Sequence, residues 1–98
     1  MELDDLTNEI IRKKSYLCVG IEPDLDKIPE HIRNQKNSIY TFSKSIIDST
    51  AKFAVAFKFN IAFFEAYGIK GWKAFEKTID YLKKNYPNHF IIADAVSY

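Results

Sequence analysis

The stretch Phe53-Ala54-Val55-Ala56-Phe57-Lys58 decides the fold class of this 98-residue chain. Its five apolar residues do not alternate with polar ones, which is typical of a strand that is covered on both faces. Two similar runs lie at residues 16–21 and 90–93. The three runs therefore predict three buried strands.

Helical spacing of apolar residues marks the segments around these runs. It predicts helices over residues 3–14, 38–50 and 71–85, with a short helix over 61–67 that ends at Gly68. Ser38 is expected to cap the second helix, and Trp72 is expected to face inward. Helices that alternate with strands predict an α/β fold whose parallel strands are joined by right-handed crossovers.

Length, charge and hydropathy limit the class of protein. Residues 1–98 can form one small domain, and the formal net charge is +1 with the basic residues spread along the chain. This pattern predicts neither nucleic-acid binding nor a membrane anchor, and no apolar run approaches the roughly 20 residues that cross a bilayer. Cys18 lies in an apolar run and is expected to be a buried, reduced thiol of a cytoplasmic protein, while His31 and His89 are expected at the surface.

Charged residues follow each predicted strand at its carboxyl end. Glu22 and Asp24 follow the first, Lys58 follows the second, and Asp94 follows the third. In parallel α/β folds this edge carries the ligand site. A lysine held between carboxylates can donate a proton or stabilise a developing anion, so these residues are candidate site residues.

Each candidate also has a simpler interpretation. Charged residues flank strands because strands end at water, and Asn60 is expected to cap the following helix rather than to contact a ligand, although a ligand role stays open. Asp24 and Asp26 are close enough for a metal pair, but neither a glycine-rich loop nor a distal glutamate follows them. No metal site is predicted.

Two motifs at the ends of the first two predicted strands are distinctive. They are Leu17-Cys18-Val19-Gly20-Ile21-Glu22-Pro23-Asp24 and Ala54-Val55-Ala56-Phe57-Lys58-Phe59-Asn60-Ile61-Ala62-Phe63-Phe64-Glu65. Both resemble signatures of the orotidine-5′-phosphate decarboxylase family, in its longer bacterial branch. Asp94 also falls where the family's third strand carries an Asp-x-Lys-x-x-Asp motif, and the resemblance extends over about residues 6–95.

The resemblance implies a fold, an activity and a role for each candidate. The fold is a (β/α)₈ barrel, of which this chain would supply about three βα units as one partial domain. The activity is removal of CO₂ from orotidine monophosphate by a cytoplasmic homodimer that needs no cofactor and no metal. Lys58 matches the lysine that anchors the charged network, and Asp94 matches the aspartate placed against the departing carboxylate. Glu22 and Asn60 match substrate-binding positions.

Two departures from the family pattern affect these expectations. Glu22 stands where the family has aspartate, and Val96 stands where the family has its proton-donating lysine. Valine cannot donate a proton, so the chain is expected to be inactive alone. The change at Val96-Ser97-Tyr98 suggests a frameshift or premature stop, which the nucleotide sequence beyond the stop would test.

Three strands cannot close a barrel, so the isolated chain is expected to fold poorly. Two other functions remain open at this stage. One is a barrel enzyme that uses Lys58 as a Schiff-base nucleophile, which borohydride trapping would reveal. The other is a non-catalytic assembly module that completes a barrel with a second polypeptide.

Overall fold

The computed structural model of the protein describes residues 3–13 and 17–95. Helices and strands alternate along the chain much as the apolar pattern predicts. The elements are α1 (Leu3–Lys13), β1 (Cys18–Ile21), α2 (Glu30–Arg33), α3 (Ser38–Thr50), β2 (Ala56–Asn60), α4 (Ile61–Glu65), α5 (Gly68–Asn85) and β3 (Phe90–Asp94).

The three strands form one parallel sheet in the order β1-β2-β3, with β2 in the centre. Lys58 on β2 pairs with Gly20 on β1 and with Ile92 on β3. Asn60 pairs with Asp94 at the carboxyl end of the sheet. The prediction of parallel strands in an α/β fold is therefore confirmed.

Helices cover one face of the sheet. Phe57 and Phe59 of β2 are fully buried on this face, where they pack with Phe64 of α4 and other core residues. Side chains alternate between the two faces of a strand, so Lys58 and Asn60 point to the opposite face. The core therefore lies between the sheet and the helices α3, α4 and α5.

The opposite face of the sheet is open at β1 and β3, so the prediction of strands covered on both faces is wrong for these two strands, whereas Ala56 of β2 is buried on that face. Cys18, expected to be buried, is exposed, and Ile92 is 36% exposed. Both lie in register with β2 residues of the open face, Ala56 and Lys58. An apolar run does not distinguish a strand whose second face is covered within the chain from one that is not.

Close packing fixes the turn between α4 and α5. Gly68 has a φ of 63°, a left-handed conformation that favours glycine, and the short helix ends before it as predicted. A Cβ on Gly71 would lie 1.7 Å from the carbonyl oxygen of Phe64. The two helices can approach this closely only because Gly71 has no side chain.

Two predicted details of the helices are wrong. The cap position of α3 is Asn37, and the hydroxyl of Ser38 is buried without a hydrogen-bond partner among the described residues. Trp72, predicted to face inward, is 44% exposed and lies edge-on to Phe75. The inner surface of α5 is instead formed by Gly71, Ala74, Thr78 and Leu82.

His89 is buried at the amino end of the sheet, whereas the sequence predicted it at the surface. Its ring lies between Phe57 and Tyr86, with centroids 5.3 and 5.5 Å away. Its Nε2 is 2.8 Å from the carbonyl oxygen of Ala51 and 2.9 Å from Nζ of Lys13. His31, by contrast, is exposed as expected.

Lys13 joins α1 to this end of the sheet. Its ammonium donates hydrogen bonds to the carbonyl oxygens of Ala51 and Ala54, at 2.8 and 2.6 Å. Burial lowers the pKa of Lys13, and the nearby Glu9 carboxylate partly opposes this effect. Burial also lowers the pKa of His89 below its ordinary value of 6.5. A second proton on the ring would lie either on Nδ1, which is buried and has no hydrogen-bond partner among the described residues, or on the nitrogen that faces the Lys13 ammonium.

Acidification from about pH 7.5 to about pH 5.5 should therefore lower the folded fraction of the chain. The unfolded chain binds a proton at His89 more readily than the folded chain does, so this stabilisation is complete above pH 6.5 and declines as the pH falls. Far-UV circular dichroism of the chain at several pH values would measure the change in folded fraction.

His89→Phe should flatten this pH dependence, and His31→Asn should leave it unchanged because His31 is exposed. The prediction would be contradicted if the stability of the His89→Phe variant declined with falling pH as steeply as that of the parent chain.

Candidate functional site

Four side chains define the strand-end cluster, at the carboxyl end of the sheet: Glu22, Lys58, Asn60 and Asp94. The register puts Asn60 level with Asp94, and Lys58 lies two residues before Asn60 on the same face. Two residues of a strand span roughly 7 Å, so Lys58 lies within side-chain reach of both. The cluster lies on the open face, away from the aromatic core.

Glu22 approaches Lys58 from the neighbouring strand. It follows the last residue of β1 and is exposed. Its Oε1 atom lies 4.0 Å from the point that a Cβ on Gly20 would occupy. The carboxylate therefore leans back over Gly20, the residue that pairs with Lys58. A side chain larger than glycine at this position would compete with Glu22 for the space.

Asn60 caps the amino end of α4, which was the simpler of the two roles considered for it, capping and ligand contact. Its Oδ1 accepts a hydrogen bond of 3.2 Å from the backbone N–H of Ala62, at the start of α4. This bond fixes the orientation of the carboxamide and uses its oxygen. The amide nitrogen, a donor of two hydrogen bonds, is the part of Asn60 that remains to contact a ligand.

The segment after β1 is held in place by its own turn and by Tyr67, which lies between α4 and α5. Asp24 accepts a hydrogen bond of 3.0 Å from the backbone N–H of Asp26, which gives its carboxylate a structural role in the turn. Pro23 is fully buried. The backbone N–H of Leu25 donates to the hydroxyl of Tyr67, at 2.8 Å.

Tyr67 is a positioning residue that the sequence analysis did not identify. Its ring packs against the core while its hydroxyl holds the Leu25 backbone, three residues after Glu22. The hydroxyl of Tyr67 was the feature of the sequence that could have indicated this role, because a partly buried tyrosine normally has a hydrogen-bond partner for its hydroxyl. Its partner could not be identified because Leu25 lies 42 residues away.

The structure brings Lys58, Asn60 and Asp94 together on one face and places Glu22 beside them. The predicted departure at Val96 lies outside the described residues. Within residues 3–13 and 17–95, no group of three or more histidine, cysteine, aspartate or glutamate side chains could hold a metal ion. No helix in the same part of the chain is long and apolar enough to cross a membrane.

The chemical capacity of the cluster follows from its charges. A lysine ammonium beside carboxylates can bind an anionic or hydroxyl-bearing ligand and stabilise negative charge that develops on it. A parallel sheet with helices on one face and such residues at its carboxyl edge is the arrangement of successive βα units in a (β/α)₈ barrel. The chain therefore has the fold of about three such units.

Known proteins that resemble this chain are orotidine 5′-phosphate decarboxylases. The chain is 53% identical over 95 residues to the enzyme of Phocaeicola vulgatus, a match that covers 97% of this chain and 35% of the relative. The enzyme of Flavobacterium johnsoniae gives the same identity and coverage. The chain thus spans about a third of the length of the curated relatives it matches. No family model matches it.

Solved structures agree with the sequence relatives. A crystal structure from Toxoplasma gondii, assigned as an orotidine-monophosphate decarboxylase, superposes with a TM-score of 0.80 at 29% identity. It covers 94% of this chain and 30% of that protein. A second structure, from Streptomyces avermitilis, gives a TM-score of 0.73 at 23% identity and supports the fold alone. The chain is therefore homologous to about a third of orotidine 5′-phosphate decarboxylase.

Proposed function

We propose that the chain supplies the strand-end cluster of an orotidine-5′-phosphate decarboxylase active site, as one partial barrel domain. The observation that carries this proposal is the position of Lys58. It lies on the central strand, on the open face, with Glu22 over the adjacent Gly20 and with Asp94 level with Asn60. The substrate is orotidine monophosphate, as in the relatives' name.

Each residue of the cluster has a role in this proposal. Lys58 contacts the ribose and anchors the charged network, and Asp94 lies against the carboxylate that departs as CO₂. Glu22 accepts a hydrogen bond from a ribose hydroxyl, with a side chain one methylene longer than aspartate. The Asn60 amide nitrogen donates to the same ligand, since its oxygen already caps α4. A fixed ammonium also stabilises the negative charge that loss of CO₂ leaves on the pyrimidine ring.

The same proposal accounts for the limits of the chain as a catalyst. The pyrimidine carbanion must be protonated, and Val96 has no proton to donate. Three strands also provide only part of a barrel's carboxyl edge. We propose that the 98 residues alone do not turn over substrate. The complete site would belong to a cytoplasmic homodimer in pyrimidine biosynthesis that acts on a small molecule and not on nucleic acid or membranes.

A chimera would test the function directly. Residues 1–94 of this chain would be joined to the part of the Phocaeicola vulgatus enzyme that follows the equivalent of Asp94, so that the relative supplies the remaining strands. Loss of orotidine monophosphate absorbance should be rapid with the chimera and absent with the 98-residue chain. An inactive chimera that is folded would refute the proposed function, and activity of the chain alone would refute the role assigned to Val96.

A further inference from the structure

A cleft lies between α3 and α5, on the helical side of the sheet and away from the strand-end cluster. Its volume is about 390 Å³, within the range of small-molecule sites. The first turn of α3 and the amino-terminal half of α5 form its walls. Ile39 and Ala74 line it as buried residues of the core side, and Ile69, which is 75% exposed, lies at its mouth.

Positive charge is concentrated in this cleft. Four of the chain's 14 lysines and arginines line it, although the net charge of the whole chain is only +1. Three of them recur at helical spacing on α5 and face the start of α3. No aspartate or glutamate lines the cleft. The four residues are Lys36, Lys70, Lys73 and Lys77.

The ammonium groups are not neutralised by the protein. Within residues 3–13 and 17–95, none of the four lies within salt-bridge distance of a carboxylate, unlike Arg12 and Lys44, which pair with Glu9 and Asp48. Lys77 is held over the ring of Tyr40, with Nζ 4.4 Å from the ring centroid. This contact orients one cation at the wall of the cleft without cancelling its charge.

The start of α3 adds to the positive potential. The cap residue, Asn37, lines the cleft and makes no side-chain hydrogen bond to the first turn. The N-terminus of a 13-residue helix carries a partial positive charge and backbone N–H groups that are not used within the helix. Its contribution has the same sign as that of the four lysines.

We propose that this cleft binds a small organic phosphate that carries a ring-sized apolar group. The lysines and the start of α3 hold the phosphate, and the apolar group lies against Ile39, Ile69 and the ring of Tyr40. The apolar part of the lining favours a ligand with an apolar group over a bare inorganic ion, and the four lysines without a carboxylate disfavour a cationic ligand. The site is separate from the proposed decarboxylase site, because all its lining residues are on α3, α5 and the segment before α3.

Phenyl phosphate is the probe, and two-dimensional NMR of the labelled 98-residue chain is the readout. Saturable shifts are expected at α3 and α5 residues that line the cleft, with a dissociation constant of about 1 mM or tighter. Inorganic phosphate should bind at least about five-fold more weakly, since it lacks the apolar group. If the chain is only partly folded, a ligand of the folded state should also increase the number of dispersed amide signals.

Two double variants on the same helix provide the comparison. Lys73→Gln with Lys77→Gln should weaken phenyl phosphate binding at least about ten-fold. Lys83→Gln with Lys84→Gln removes the same charge from the other end of α5 and should not change it. Equal weakening by both variants would show general attraction to a basic helix and would overturn the proposal. Equal affinity for inorganic phosphate and phenyl phosphate would also overturn the proposal. The same holds if about 10 mM phenyl phosphate causes neither shifts of the amide signals nor an increase in the number of dispersed signals.

Discussion

Lys58→Ala should reduce the decarboxylation rate of the chimera by at least about a hundred-fold. Lys58 is the one charged residue of the central strand β2. It pairs with a residue of each neighbouring strand. In the proposed site we expect its ammonium to contact the ligand from the middle of the open face, with Glu22 on the side of β1 and Asp94 on the side of β3. Alanine at this position would leave the proposed site with two carboxylates and no cation.

The size of this effect follows from preorganisation. The strand fixes the backbone of Lys58, and we expect the bound substrate and the neighbouring carboxylates to hold its ammonium. An ammonium positioned before the reaction stabilises developing negative charge without being reorganised during the reaction. Steady-state measurement of orotidine monophosphate absorbance would give both kcat and KM. We expect kcat to fall, and KM to rise as well, because the proposed role of Lys58 includes contact with the ribose.

Three variants distinguish this role from loss of fold or of charge. Lys84→Ala removes an exposed lysine at the end of α5 and should leave the rate unchanged. Lys58→Arg keeps the charge in a different geometry and should recover only part of the rate. Asp94→Asn should also reduce kcat. A chimera with Lys58→Ala that kept its full rate and a normal circular dichroism spectrum would refute the assignment of Lys58.

Much of the fold could be predicted because local patterns determine it. The three apolar runs, the helical spacing between them and the left-handed Gly68 are properties of consecutive residues, and the structure confirms the elements that they predict. The grouping of the candidate residues at one edge follows equally directly. Parallel strands bring their carboxyl ends together, so Lys58 and Asp94 had to share an edge once the strands were parallel.

The wrong predictions concern contacts between distant parts of the chain. His89 is buried because Lys13, 76 residues earlier, and the carbonyl oxygen of Ala51 meet it at the amino end of the sheet. Cys18 is exposed because nothing in the described residues covers its face of β1, although its neighbours are apolar. Sequence periodicity describes what a residue is suited to pack against, and it does not identify which element is present to pack there.

As a separate polypeptide, the 98-residue chain should not unfold as a cooperative monomer. One face of its sheet is covered by helices, while the other exposes Cys18 and part of Ile92 to solvent. The outer edges of β1 and β3 have no neighbouring strand among the described residues, and such edges pair readily with other chains. The net stability of a protein is a small difference between large terms, so a half-covered sheet should leave the chain marginally folded or associated.

Thermal melts followed by far-UV circular dichroism, with sedimentation velocity to determine the mass, would test this expectation. The chain alone should show a broad transition or a mass above that of a monomer. Adding the remaining two thirds of the Phocaeicola vulgatus enzyme as a second polypeptide should yield a one-to-one complex with a sharper transition at higher temperature, because the added strands cover the open face. A sharp melt of the monomer alone would contradict the prediction. It would mean that the helical face, with Phe57, Phe59 and Phe64 at its centre, stabilises the three βα units without the rest of a barrel.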